Sequence, residues 1–132
     1  MDDSIFLLDT WYNKLIKMNL DTKTWSKRAQ LPGNRCRGAR MIAINGQLCV
    51  AGSDSFILAW YTPFTDTWAL GTQPLLKHTF GAVLYEQKTL MILGGVEKEK
   101  KVESYDIDTG VWSVCDWELP KPLCHLHGLI LQ

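Results

Sequence analysis

Short apolar runs closed by glycine punctuate this chain. Gln47-Leu-Cys-Val-Ala-Gly52 and Thr89-Leu-Met-Ile-Leu-Gly-Gly95 each read as a buried strand that stops where there is little room or where the backbone turns left-handed. Ile5-Phe-Leu-Leu8 holds the same place earlier in the chain, without the glycines. After a variable loop a second segment follows each run, at 15–20, 58–63 and 102–107. Met18, Tyr61 and Tyr105 share one slot of these segments, and Leu20, Pro63 and Ile107 share the slot two further on. That period of two belongs to a strand with one packed face. Asp21-Thr-Lys23, Thr65-Asp-Thr67 and Asp108-Thr-Gly110 then reverse the chain, their Asp and Thr side chains being able to bond nearby backbone. A third, outer strand is expected to open at Trp25, Trp68 and Trp112 and to end at Leu31-Pro32, Pro74-Leu75 and Leu119-Pro120, where proline marks an edge. The fourth kind of strand is led by glycine, over 38–44, 81–85 and 128–131. Asn45-Gly46 links the first of these onward by the strongest short hairpin signal. Helix is nearly absent from the pattern; the nearest approach, Lys98 to Tyr105, reads better as loop then strand.

The tryptophans that open the outer strands recur at intervals of 43 and 44 residues, and Gly52 and Gly95 lie 43 apart. A fixed period of this length means one supersecondary unit repeated, each unit burying its faces against its neighbours. Four antiparallel strands per period make one blade of a β-propeller. The expected fold is therefore all-β, a partial propeller of about three blades. Residues 5–32 form a three-stranded first blade, 36–75 a second and 78–120 a third. Residues 126–132 supply the inner strand of a following blade or a strand that closes the ring. Trp25, Trp68 and Trp112 are expected in equivalent, mostly buried positions. Three blades cannot close a ring, since about four is the minimum.

Trp-Asp pairs, the mark of WD40 blades, are missing: the periodic tryptophans precede Ser26, Ala69 and Ser113. The chain instead resembles kelch repeats. Leu90-Met-Ile-Leu-Gly94-Gly95, Tyr105, Trp112 and Leu119-Pro120 give one close match to the kelch pattern. Leu48-Cys-Val-Ala-Gly52, Tyr61 and Trp68 give a second that has lost one glycine, and the first unit keeps Trp25. The style is similar to the kelch-like BTB proteins, which carry BTB and BACK domains before six blades and recruit substrates to cullin-3 ubiquitin ligases. The resemblance implies a protein-interaction module, with cullin-3 reached through domains outside this sequence. An actin-binding cytoskeletal scaffold is the alternative it leaves, and an oxidase or hydrolase propeller a third. It also implies the C-terminal half of a six-blade ring, whose last strand returns to the first blade. Two copies of this chain closing one ring is the less favoured arrangement.

Composition narrows the field. The chain is 46% hydrophobic and 21% charged, with fourteen basic and fourteen acidic residues, a balance that points to neither nucleic acid nor membrane. Its apolar runs are too short to cross a bilayer. Met-Asp-Asp-Ser at the start lacks the basic flank of a signal peptide, so a cytoplasmic protein is expected, with nucleus or cytoskeleton as alternatives. Cys36, Cys49, Cys115 and Cys124 include no Cys-x-x-Cys pair and read as reduced thiols. Cys49, within an apolar run, is expected to be buried and inert.

Candidate chemistry is sparse. Arg35, His78 and His125 each stand three residues before a glycine-led strand, a periodic slot that favours a structural task over a place at the propeller mouth. Cys124-His125-Leu126-His127 lacks a fourth ligand at zinc-like spacing. No nucleophile triad, phosphate loop or paired carboxylate is recognisable, so neither an enzyme nor a metal or cofactor site is expected. Binding is expected on the face made by two loop sets. One set is 10–14, 53–55 and 96–101, and the other 33–37, 76–80 and 121–127. They carry Arg35, Arg37, Lys77, His78, Lys98, Lys100, Lys101, Lys121, His125 and His127, with Trp11 as an aromatic anchor, against only Asp54, Glu97 and Glu99. Such a surplus of positive charge suits a protein partner with an acidic peptide segment.

Overall fold

The computed structural model describes residues 3–97 and 99–131 and consists, among these, of eleven strands and no helix. They form three antiparallel sheets in chain order. The first contains β1 (Ser4–Asp9), β2 (Lys14–Asn19) and β3 (Thr24–Lys27). The second contains β4 (Ala39–Ile44), β5 (Gln47–Gly52), β6 (Ile57–Thr62) and β7 (Thr67–Leu70). The third contains β8 (Ala82–Glu86), β9 (Thr89–Leu93), β10 (Lys101–Asp106) and β11 (Val111–Glu118). Each strand pairs with its neighbour in sequence, a meander that short turns allow. Asn45 and Gly46 have φ of 50° and 79°, the two left-handed residues of the turn that matches strand twist. The turn before each periodic tryptophan also has a left-handed residue two positions ahead of it: Lys23, Asp66 and Gly110, with φ of 58°, 55° and 70°.

The middle sheet is covered on both faces, and its side chains divide accordingly. Cys49 and Ala51 of β5, with Leu58 of β6, pack against Val83, Leu90, Ile92, Tyr105 and Trp112 of the third sheet. Val50, Ile57 and Ala59 turn the other way and meet Leu31, Cys36 and Ala39 in a second core, against which Leu8 and Trp68 also pack. Alternate residues of one strand thus feed different cores. In the first sheet β1 instead alternates half-buried and exposed residues, because its outer face is open.

One arrangement repeats across the sheets. Met18 faces Trp25, Tyr61 faces Trp68 and Tyr105 faces Trp112 across neighbouring strands. The two Tyr–Trp pairs have ring centroids 5.0 and 4.9 Å apart, a contact range that favours aromatic pairs. Each of these two indoles also reaches the sheet before it. Trp68 Nε1 donates to Ala29 O at 2.8 Å, and Trp112 Nε1 donates to Thr72 O at 2.7 Å. Trp25 breaks the expectation of equivalent burial. It is 52% exposed, against 7% for Trp112, because no described sheet lies on that side to cover it.

Two further expectations are corrected. The outer strands stop at Lys27 and Leu70, short of the prolines, because the chain leaves its own ladder to bond the next sheet. Ala29 shows this: its N–H donates to Asp66 and its carbonyl accepts from Trp68. Residues 128–131 do not form a strand, having no paired neighbour among the described residues.

The indole bonds make a prediction. Trp112→Phe keeps an aromatic ring but strands the Thr72 carbonyl, and should cost about 1–3 kcal/mol in urea unfolding. Trp117→Phe, at a half-exposed residue outside the periodic slot, should change stability by less than about 0.5 kcal/mol. Equal effects would mean that the indole bond carries no stability of its own.

Candidate functional site

Both loop sets gather along one end of the three sheets, and buried polar groups bind them together. Asn13, 3% exposed, organises the first junction. Its Nδ2 donates to Asn34 O at 2.8 Å and Leu31 O at 3.3 Å, while its Oδ1 accepts from Cys36 N at 3.0 Å. This fixes the backbone on both sides of Arg35. Ser55 Oγ donates to Arg35 O at 3.4 Å. At the second junction Asp54 accepts from Thr79 Oγ1 and from Arg37 Nη1 at 2.7 Å. The Thr79 hydroxyl first, and the Arg37 guanidinium after it, hold the Asp54 carboxyl below its ordinary value. Val96 N then donates to Thr79 O, and Gly95 N to Leu123 O, both at 2.8 Å.

The third sheet is anchored by a group that spacing did not reveal. Glu103 is fully buried, as is His78 at 1% exposure. One carboxylate oxygen accepts from Leu75 N at 2.7 Å, and the other from Leu76 N at 3.1 Å and His78 Nε2 at 2.6 Å. The other ring nitrogen, Nδ1, lies 2.7 Å from Gly94 O. Both ring nitrogens thus have enclosed oxygen partners. His78 is therefore removed from the partner-contact residues: it is enclosed, and it ties the 75–78 loop to β9 and β10. The same loop presses on Gly52 and Gly95, where an added Cβ would lie 3.1 and 3.0 Å from the His78 backbone. With φ of 98° and 135° at these positions, both close approach and backbone conformation demand glycine.

The remaining candidates separate into groups. Arg35 is exposed, and its guanidinium stands 3.8 Å above the ring of Trp11, a cation–π stack; Trp11 itself is 51% exposed. No carboxylate pairs with Arg35 among the described residues. Phe80 forms a second focus. His125 stacks on it at 4.4 Å, and the guanidiniums of Arg37 and Arg40 lie 5.3 and 5.8 Å from its centroid. Arg40 Nε is spent on Gly81 O at 2.9 Å. His127 is exposed and lines a cleft of about 130 Å³ with Arg40, Met41 and Val83.

The expected basic surplus is thinner than the residue count. Arg37 pairs with Asp54, Lys77 with Glu97, and both Lys100 and Lys101 with Glu118. Glu118 lies outside the loops but its carboxylate reaches back to them. Lys98 lies outside the described residues. Of the off-repeat tryptophans, Trp60 packs half-buried against the core between the second and third sheets, and Trp117 is half-exposed.

Burial pushes the Cys49 thiol up to about 12 and the Cys36 thiol up to about 11, so neither is a ready nucleophile. Among the described residues no three His, Cys, Asp or Glu side chains are grouped to hold a metal ion, and no helix is long and apolar enough to cross a membrane. The arrangement is suited to binding: arginines held on aromatic rings, on loops fixed by buried hydrogen bonds. No protein-family model and no curated protein matches this chain.

Glu103→Ala should lower stability by about 3–5 kcal/mol, because it strands the His78 ring and two amides in the interior. Glu103→Gln keeps an acceptor oxygen and should cost less. Denaturant unfolding of both variants measures this, and a neutral Glu103→Ala would deny the network its structural role.

Proposed function

We propose that this chain is a segment of a kelch-type β-propeller and that its loop face binds a protein partner through an acidic segment. Within that reading it serves as the substrate-recognition part of a BTB-kelch adaptor for a cullin-3 ubiquitin ligase in the cytoplasm, cullin-3 being engaged by domains outside this chain. The support is of two kinds. The repeated Tyr–Trp register and the indole bonds between sheets fit blades that pack around a common axis. The resemblance to kelch-like proteins supplies the adaptor role.

One observation carries the binding reading: the exposed Arg35 guanidinium stacked on Trp11, without a carboxylate partner among the described residues. Stacking limits the side chain's freedom and leaves its edge donors for an incoming carboxylate, which arginine binds by paired, charge-assisted hydrogen bonds. Loops on a rigid scaffold are also where binding residues collect. Arg37 is a weaker contributor, since Asp54 already occupies it.

The test is selection of peptides from a random display library on the purified protein, followed by calorimetry of a selected peptide. Acidic peptides are expected. Arg35→Ala should weaken binding by about 1.5–3 kcal/mol with an unchanged melting temperature, and Arg37→Ala should weaken it less. Selection of apolar or basic peptides, or full affinity in Arg35→Ala, would contradict the reading.

A further inference from the structure

An open cleft of about 250 Å³ adjoins Arg35, between the first and second sheets. Pro32, Phe56, Ile57, Leu58 and Leu70 supply its apolar lining, and no charged residue lines it. An apolar cavity of about 150 Å³ already holds a benzene-sized group, so this cleft has room for one large apolar side chain. Gly33, also in the lining, faces open space: a Cβ there would meet nothing within 4 Å.

Phe56 is the unexpected member of the lining. Its φ is 53°, a left-handed backbone that bulky side chains avoid and that asparagine or glycine takes more readily. The turn before it imposes that geometry: Ser55 N donates to Ser53 Oγ at 3.0 Å, and Phe56 N donates to Ser53 O at 3.3 Å. Phe56 is half-buried, yet it joins neither of the two cores formed by the described residues. An aromatic ring is thus kept where the backbone favours asparagine and where no core requires it. Leu70, at the end of β7, is likewise large and apolar but 62% exposed. Both side chains face the same cleft.

The cleft and Arg35 belong to one fixed piece of backbone. Pro32-Gly33-Asn34, in the lining, leads directly into Arg35. Ser55, in the lining on the other side, donates from its hydroxyl to Arg35 O at 3.4 Å. Asn13 holds the carbonyls of Leu31 and Asn34 from beneath. A ligand seated on the Arg35 guanidinium therefore passes the mouth of the cleft.

We propose that this cleft receives an apolar side chain of the same acidic segment that Arg35 binds. The partner motif then has two parts: an acidic residue, and a leucine-sized or aromatic residue close to it in sequence. The inference rests on the acidic-segment reading of Arg35 and supplies the second half of the motif. Charge complementarity at Arg35 fixes where the segment lies, and the uncharged, apolar lining beside it selects what the neighbouring residue is. An extended chain advances about 3.3–3.6 Å per residue, so the apolar residue falls within about four positions of the acidic one.

The test is selection from a display library in which two adjacent aspartates are fixed and the flanking positions are random. Recovered peptides should carry leucine, isoleucine, methionine or phenylalanine at one preferred offset from the aspartates. Replacing that residue by alanine should weaken binding about tenfold or more, measured by calorimetry. Against Leu70→Gln and Phe56→Asn the same replacement should have almost no effect, while the dependence on the aspartates persists. Both substitutions are neutral, so they leave the attraction of the acidic residues unchanged. Phe56→Asn should melt no lower than the native protein, because asparagine suits the local backbone; if it does melt lower, the mostly exposed Leu70→Gln decides. Aspartate-dependent binding with no apolar preference, or a preference that survives both variants, overturns the cleft but leaves the Arg35 reading standing. A concentration-dependent mass that Leu70→Gln abolishes would place a second copy of the chain in the cleft and overturn it too. Binding that is indifferent to the aspartates and to Arg35→Ala would remove the acidic-segment reading, and this inference with it.

Discussion

The hydrogen bond from an indole N–H to a carbonyl of the preceding sheet sets how these sheets stand to one another. Within a sheet the ladders supply register and twist, but they say nothing about the next sheet. The bonds from Trp68 to Ala29 and from Trp112 to Thr72 fix that second relation, at the same place in successive repeats. Each carbonyl lies just past an outer strand, where the chain has already left its ladder and would otherwise need another donor. Tyr61 adds to the first junction. Its hydroxyl donates to Asp66 at 2.7 Å and accepts from Arg28 at 3.0 Å, so residues of the first and second sheets share one polar knot. Burial, with the Asp66 bond after it, pushes this phenol above its ordinary value.

A stacked scaffold leaves its loops at the ends, and here those loops are held by enclosed polar side chains. Asn13 serves the 31–36 segment, and Glu103 with His78 serves the 75–78 segment. These are different residues solving one problem, since a loop turned inward must find partners for its amides and carbonyls. The result is a rigid platform on which Arg35 and Trp11 are exposed while the backbone beneath them is satisfied. Rigid placement favours binding because less freedom is lost when a partner arrives.

Much of this was readable in the chain because it depends on neighbours in sequence. The strand positions follow from apolar runs and the period of two. The Asn45-Gly46 hairpin follows from the backbone freedom of those residues, and the stacking of sheets from the tryptophan interval. Loops at one end follow from the meander itself. What escaped depends on contacts between distant residues. Glu103 occupies the slot filled by Ile16 and Ala59 in the other repeats. A charge in an otherwise apolar slot was the available signal, but its meaning lay in His78, twenty-five residues away. Trp25 has the right neighbours in sequence, yet its burial depends on a sheet that is not beside it. The lysines looked free because Glu118 lies on a strand outside the loops and reaches them only in the fold.

The claim that periodic indoles lock successive sheets is tested most directly by hydrogen exchange of the tryptophan side chains, followed by NMR. The Trp68 and Trp112 indole protons should exchange far more slowly than those of Trp11 and Trp117, which are half-exposed and lie outside the periodic slot. Equal exchange at all four would contradict the account, because it would mean that the indole-to-carbonyl bonds do not hold the sheets together in solution.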